Sequence, residues 1–308
     1  MQELQMRSRT ARQKRTSNRK GISMSCPVID LLLCTAIAGM GLGAAMARGK
    51  DQAYVSQAPE LEAGFHLLYE LKPAEAHAQF EAWEKSHPED PIGGASQAVS
   101  YLFEECNRQG VLTSEFFLDD KRLLGKIGVE PGQKLRAAFF AAEQRAQDLA
   151  RSQLETNPDD VDALFAMALS LGMQAGYTGL IDKHQVESLR MIREADKYAK
   201  RLLAAAPDAA DAYLTLGATN YIIGSQPAHK RFFLAFAGIR GDKRLGMQQL
   251  EIAAARGHYL RPFAKIMLTV AALREKQLDV ARTQLAELAA EFPANPLFAT
   301  ELAKLSSS

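Results

Sequence analysis

The sequence predicts an all-α protein assembled from antiparallel helical hairpins, on three observations. Ala and Leu are abundant, only 12 Pro and 21 Gly interrupt 308 residues, and runs alternating Val, Ile, Thr or Tyr are nearly absent. Such a composition favours helix over strand. A spacing of 4, 3 and 5 residues recurs along the chain and ends on proline in most copies. Asp-rich turns follow those stops and precede fresh helical patterns, as in "NPDDVDALFAMALSL" and "APDAADAYLTLGATNY". Asp at such positions caps the free amides of a helix N-terminus.

The clearest copies of the spacing are Ala76, Phe80, Trp83, Pro88; Ala195, Ala199, Leu202, Pro207; and Ala281, Leu285, Leu288, Pro293. Looser ones are Ala146, Ala150, Gln153, Pro158 and Gly246, Leu250, Ala253, His258. Steps of 4 and 3 put the first three positions on one helical stripe, and the proline falls where a helix must stop. Small residues such as Gly64, Gly217, Ala76, Ala195 and Ala281 let paired helices approach closely. Phe80, Trp83, Leu202, Leu285 and Leu288 fill the space between hairpins.

This framework of Leu-Gly, Ala, Phe or Leu, Ala and Pro, with Leu216-Gly217 as its Leu-Gly pair, resembles the tetratricopeptide repeat family from about Pro59 to Leu305. The resemblance implies a right-handed superhelix, or α-solenoid, of helical hairpins that binds a protein or peptide on its concave face. The last third, from "GDKRLGMQQLEIAAARG" to "EFPANPLF", also resembles the C-terminal segment of the tetratricopeptide domain 39 family and of exported bacterial relatives. Neither resemblance brings a catalytic residue.

The stops at 88, 158, 207, 258 and 293 are separated by 70, 49, 51 and 35 residues. Against a repeat of about 34 residues, the first three intervals are long by roughly 36, 15 and 17. Helical periodicity on both sides of each stop places the surplus between the two helices of a hairpin: Asn107 to Leu135, Gly176 to Val186 and Gly224 to Arg240. Such turns emerge on one edge of a solenoid, which points to a shared surface.

Residues 1–47 hold seven Lys or Arg against Glu3 and Asp30, leaving 30 basic and 34 acidic residues in the rest of the chain. That balance carries no general nucleic-acid signature. The apolar run "CPVIDLLLCTAIAGMGLGAAMA" ends in Ala45-Met46-Ala47 and reads as a signal peptide cut between Ala47 and Arg48. An uncleaved membrane anchor is the alternative. The expected organisation is therefore an exported, periplasmic or envelope protein with a leader over 1–47, a linker over 48–57, a repeat domain over 58–305 and a disordered tail over 306–308. Cys106 is the one cysteine after the leader, so an internal disulfide is excluded there and a small buried apolar role is expected.

The third insertion contains "HKRFFLAFAGIR". Its first reading is a short helix tucked onto the hairpin edge, with Phe232, Phe233, Leu234, Phe236 and Ile239 inward and His229, Lys230, Arg231 and Arg240 toward water. The other reading is a partner or membrane contact made by Lys230, Arg231, Phe232, Phe233, Phe236 and Arg240. The first insertion, with Phe116, Phe117, Leu118, Leu123 and Leu124 around Asp119 to Arg122, reads as a small helix capping the edge. The second is a Gly-rich turn or a ligand loop offering Tyr177, Asp182, Lys183 and His184.

The six His residues form no metal-ligand spacing, and no phosphate loop, nucleophile elbow or haem motif is present, so no metal, cofactor or enzyme activity is expected. The leading function is a non-enzymatic scaffold that binds a protein or peptide. Two alternatives stand beside it. One is a small-molecule or lipid-binding accessory of an envelope transport system, with a cavity lined by Phe165, Met167, Tyr213 and Phe263; the other is peripheral membrane attachment through residues 224–241.

Overall fold

The computed structural model describes residues 58–306, with 126 and 237 left out. The expected leader, its cleavage after Ala47 and the linker lie outside the described residues. The described helices are α1 (Pro59–Tyr69), α2 (Pro73–Ser86), α3 (Pro91–Arg108), α4 (Ser114–Leu118), α5 (Asp120–Leu124), α6 (Gln133–Thr156) and α7 (Val161–Gly176). A single π turn, Tyr177–Ile181, continues α7. Then follow α8 (Gln185–Ala205), α9 (Ala212–Gly224), α10 (Ala228–Phe236), α11 (Lys243–Arg256), α12 (Arg261–Arg274), α13 (Leu278–Glu291) and α14 (Pro296–Ser306). Ser306, expected in the tail, ends α14.

Sequential packing pairs α1 with α2, α3 with α6, α7 with α8, α9 with α11 and α12 with α13, and α14 closes the stack on α13. This is the all-α array of antiparallel hairpins that the 4-3-5 spacing predicts. Pro88, Pro158, Pro207 and Pro293 each stand two residues beyond a helix end. The turn after each stop is closed by the same bond at 3.0 Å: Asp90 N to His87 O, Asp160 N to Asn157 O, Ala209 N to Ala206 O and Asn295 N to Phe292 O.

The opposite turns show where the insertions enter. In the two uninserted hairpins the first helix ends on Leu71 and Lys276, each at φ 59°. Lys72 N then donates to Leu67 O at 3.0 Å and Gln277 N to Ala272 O at 2.8 Å, a left-handed helix stop. Gly110, at φ 64°, ends α3 the same way, with Val111 N bonded to Cys106 O at 3.1 Å. The first insertion therefore leaves from the standard turn, and all three insertions lie between the two helices of a hairpin, as expected.

The predicted stripes are the core. Ala76, Phe80, Ala195, Ala199, Leu202, Ala281 and Leu288 have no exposed surface, and Trp83 and Leu285 are buried. The Trp83 indole N–H donates to Asp90 Oδ2 at 2.8 Å. Asp90 and Asp160 cap their helices through Ile92 N (2.8 Å) and Ala163 N (3.0 Å). Asp211 does not cap α9. Cys106 is buried, which pushes its thiol up to about 12 and leaves it unreactive at neutral pH.

The helix pair α9 and α11 crosses closely. A Cβ on Gly246 would lie 2.8 Å from both the Tyr221 Cα and the Gly217 carbonyl oxygen, so only glycine fits. Helices α3 and α7 are the centre of the stack, with every residue from Pro91 to Ser100 and from Ala163 to Ser170 buried. The stretch Val161–Ile181 is long and apolar enough to cross a membrane, but most of it is enclosed here by neighbouring hairpins.

One polar cluster lies inside. On α6, Glu143 replaces an apolar residue in the stripe Phe139, Ala142, Ala146, Ala150 and accepts hydrogen bonds from Ser170 Oγ and, at 3.3 Å, from Gln147 Nε2. Burial raises its carboxyl to about 8, with those two bonds pulling the other way.

Three outcomes follow from this packing. Trp83→Ala or Leu285→Ala lowers unfolding stability by about 2–5 kcal/mol in denaturant titration; a loss under about 0.5 kcal/mol would place the stripe elsewhere. Gly246→Ala destabilises although alanine is about 1 kcal/mol better in a free helix, and a gain in stability would contradict the close crossing. For Glu143 the folded carboxyl is raised, so its contribution is intact below about 4.5 and is lost as pH rises from there toward 8, by at most about 1.4 kcal/mol per pH unit. Glu143→Gln should remove that decline and be the more stable chain at pH 8; parallel profiles would show that Glu143 ionises freely.

Candidate functional site

The inner side of the array is closed by the chain itself. Tyr259, in the turn between α11 and α12, stacks on Phe65 of α1 with ring centres 5.0 Å apart and lies 6.3 Å from Phe165 of α7. Its hydroxyl accepts from Ala58 N at 3.2 Å, and its carbonyl accepts from the Tyr69 hydroxyl at 3.2 Å. Asn295, in the turn before α14, donates to the Tyr69 carbonyl at 2.8 Å. Phe292 lies 5.5 Å from Tyr69, and Phe263 of α12 lies 5.2 Å from Phe103 of α3.

Asp211 holds the central turn in shape. Its carboxylate accepts from His258 N (2.8 Å), Tyr259 N (3.1 Å) and Leu260 N (3.3 Å) instead of capping its own helix. These contacts bring aromatic side chains of the first and last hairpins together on the side where a peptide groove was expected. The cavity expected around Phe165, Met167, Tyr213 and Phe263 is corrected. Phe165 and Met167 are buried in packed core, and Phe263 lines a crevice formed between α1, α3, α4, α12, α13 and α14.

The first insertion forms part of that crevice. Phe116 is buried and Phe117 lines the crevice, whereas Leu118 is exposed, unlike its expected role. Ser114 Oγ donates to Glu301 at 2.5 Å, Lys304 pairs with Glu115 at 2.6 Å, and Arg274 donates to the Phe117 carbonyl at 2.6 Å and to Asp120 at 2.7 Å. The segment is thus a strap packed onto α12 and α14. Its return to α6 is fixed by Glu105, whose buried carboxylate accepts from Arg108 (2.7 and 3.0 Å) and from Gly132 N (3.3 Å).

The second insertion is tied down, which corrects the ligand-loop expectation for most of its residues. Tyr177 is fully buried and stacks on Phe139 at 4.6 Å. Asp182 pairs with Arg136 at 2.8 Å, and Lys183 donates to the Leu123 carbonyl at 2.9 Å beneath the Phe116 ring. His184 stays exposed, 3.6 Å from Glu187.

The third insertion behaves differently. Helix α10 has no buried residue, and Phe232, Phe233 and Phe236 are 69%, 71% and 91% exposed. This overturns the reading that tucks them against the hairpin edge. Leu234 and Ala235 are the half-covered positions, so the three Phe residues occupy the outward face. The base of the insertion is pinched: a Cβ on Gly241 would sit 2.8 Å from Gly224 N. Gly238, at φ +76°, ends α10, with Ile239 N bonded to Leu234 O at 2.8 Å. Lys230, Arg231 and Arg240 are exposed beside the aromatic face, and Arg231 reaches back to the Gly224 carbonyl at 3.4 Å.

Among the described residues no group of three or more His, Cys, Asp or Glu is placed to hold a metal ion. Tyr259, Asp211 and Asn295 had no periodic signal, because their partners are distant in sequence.

Fold and surfaces together define an all-α array of antiparallel helical hairpins with an exposed inserted helix. No family model and no curated protein matches the chain. Among solved structures, a thermophilic TPR protein of Thermus thermophilus is similar, with 14% identity, a TM-score of 0.43, and coverage of 81% of this chain and 98% of that one.

Asp211→Ala tests the closure. Loss of hydrogen bonds to a charged acceptor should cost about 1.5–3 kcal/mol and speed amide exchange at residues 258–260. Unchanged exchange there would remove Asp211 from its assigned role.

Proposed function

We propose that this chain is a non-enzymatic interaction scaffold that engages a protein partner through α10 rather than through its inner face. One observation carries the reading: a nine-residue helix without a buried residue turns three phenylalanines outward. Amphipathic helices of globular proteins turn that face to the core. Phe232 and Phe233 stand four and three residues before Phe236, the i+4 and i+3 spacings by which a helix anchors in a partner's groove. Arg231 and Arg240 flank them, and aromatic and Arg side chains dominate interface hot spots. The non-enzymatic part of the reading rests on the repeat architecture, whose stacked units present extended surfaces. Export to the periplasm or envelope is part of the proposal and rests on the basic stretch, the apolar run and the Ala45-Met46-Ala47 site.

A second reading has its own support. Lys230, Arg231, Arg240, Lys243 and Arg244 face a single acid, Asp242, between residues 228 and 244. Basic residues beside an exposed aromatic face suit an anionic membrane surface.

A photo-crosslinking residue at position 233 should give one discrete protein adduct in envelope extract. Phe232→Ser with Phe236→Ser should abolish it while changing stability by less than about 0.5 kcal/mol, as for surface substitutions. Flotation with anionic vesicles without an adduct would transfer the surface to the membrane reading. Failure of both would refute α10 as a contact element.

A further inference from the structure

We propose that the crevice beneath the first insertion is a binding chamber for a small neutral hydrocarbon, of benzene size or a short alkyl group. It has a volume of about 120 Å³ and lies among Leu68, Phe103, Phe117, Met267, Leu273 and Phe298. Protein interiors leave few voids larger than a water molecule. Apolar cavities of roughly 150 Å³ stay dry and take up benzene or xenon. The space is therefore of the size that such a group fills.

The rim decides the chemistry of the occupant. Ser114 Oγ donates to Glu301 at 2.5 Å, and the other Glu301 oxygen pairs with Lys304 at 2.7 Å. Asn295 donates to the Tyr69 carbonyl at 2.8 Å, and the Thr269 hydroxyl donates to the Lys265 carbonyl at 2.8 Å. These polar groups are already partnered, so an incoming polar or charged group would lose water without gaining a hydrogen bond. A hydrocarbon meets no such penalty, and its burial is favourable.

The strap supplies an entry route. Leu112 and Phe117 of the chamber wall belong to the insertion, not to the hairpin framework. Its outer margin is held by Ser114–Glu301, Glu115–Lys304 and the Arg274 contacts to the Phe117 carbonyl and Asp120. Glu115–Lys304 and Arg274–Asp120 are surface pairs of the kind that exchange with water at little cost. Entry is therefore at this margin, while buried Phe116 keeps the strap seated on the hairpins.

The test is thermal unfolding of the full chain with benzene, cyclohexane and benzoate. Benzene and cyclohexane should raise Tm saturably by about 2–4 °C at roughly tenfold excess over Kd, and benzoate should not. Met267→Trp, which fills the chamber, should abolish the shift, whereas the α10 variant Phe232→Ser with Phe236→Ser should keep it. In wild type, intermolecular NOEs from benzene should reach the Met267 and Leu273 methyls, which keeps the test sound if the Trp variant does not fold. No saturable shift with either neutral probe, an equal shift with benzoate, or NOEs absent from these methyls would each overturn the proposal.

Discussion

Tyr259 ties the fourth-to-fifth hairpin turn to the first helix, and the rest of the structure is arranged around that contact. A stack of hairpins in which each touches only its neighbours has a stability made of local interface terms. Here one ring in the fourth-to-fifth hairpin turn stacks on α1, while its carbonyl and hydroxyl bond to Tyr69 and Ala58. The closure adds a term between hairpins far apart in sequence. Asp211 makes the contact possible by gathering three successive amides of the turn, so that its backbone polar groups are satisfied where they are buried.

Closure has a consequence for function. Phe65, Tyr69, Phe103, Tyr259, Phe263 and Phe292 occupy much of the inner side, and Tyr69, Phe103 and Phe263 line the crevice left there. What remains for recognition is the inserted edge and a crevice that the strap only partly covers. The three insertions leave the array on the same side yet meet different fates. The first carries Ser114, Glu115 and Asp120, which find partners on α12 and α14. The second is short enough to be held by Arg136 and the π turn. The third is pinched at Gly224 and Gly241, which leaves α10 with little surface to pack on.

The hairpins were legible because their signal is local and repeated: Ala76, Phe80, Trp83 and their counterparts are spaced by the helix period itself. The insertion points were legible as surplus length between stops. Of the two Asp-rich turns read as caps, the one before α7 caps through Asp160. The one before α9 does not, because the Asp211 acceptor atoms serve a turn about 47 residues away. The orientation of α10 escaped for a different reason. Composition and period put Phe232, Phe233 and Phe236 on one face, but the same wheel fits a helix facing in or out; only the pinch at its base decides. Glu143 was concealed because a carboxyl in an apolar stripe reads as a break in the pattern until its Ser170 and Gln147 partners are placed.

Sealing of the first hairpin against the last is directly measurable. Ala63 on α1 and Ala294 in the turn before α14 are both exposed, and the remaining cysteine of the repeat region, Cys106, is buried. Spin labels at Ala63→Cys and Ala294→Cys would report the separation by pulsed electron resonance. A sealed array gives one narrow, short distance that broadens and lengthens when Tyr259→Ala is added. A long, broad distribution in the otherwise unaltered chain would mean that the array is open and that the filled inner face is wrong.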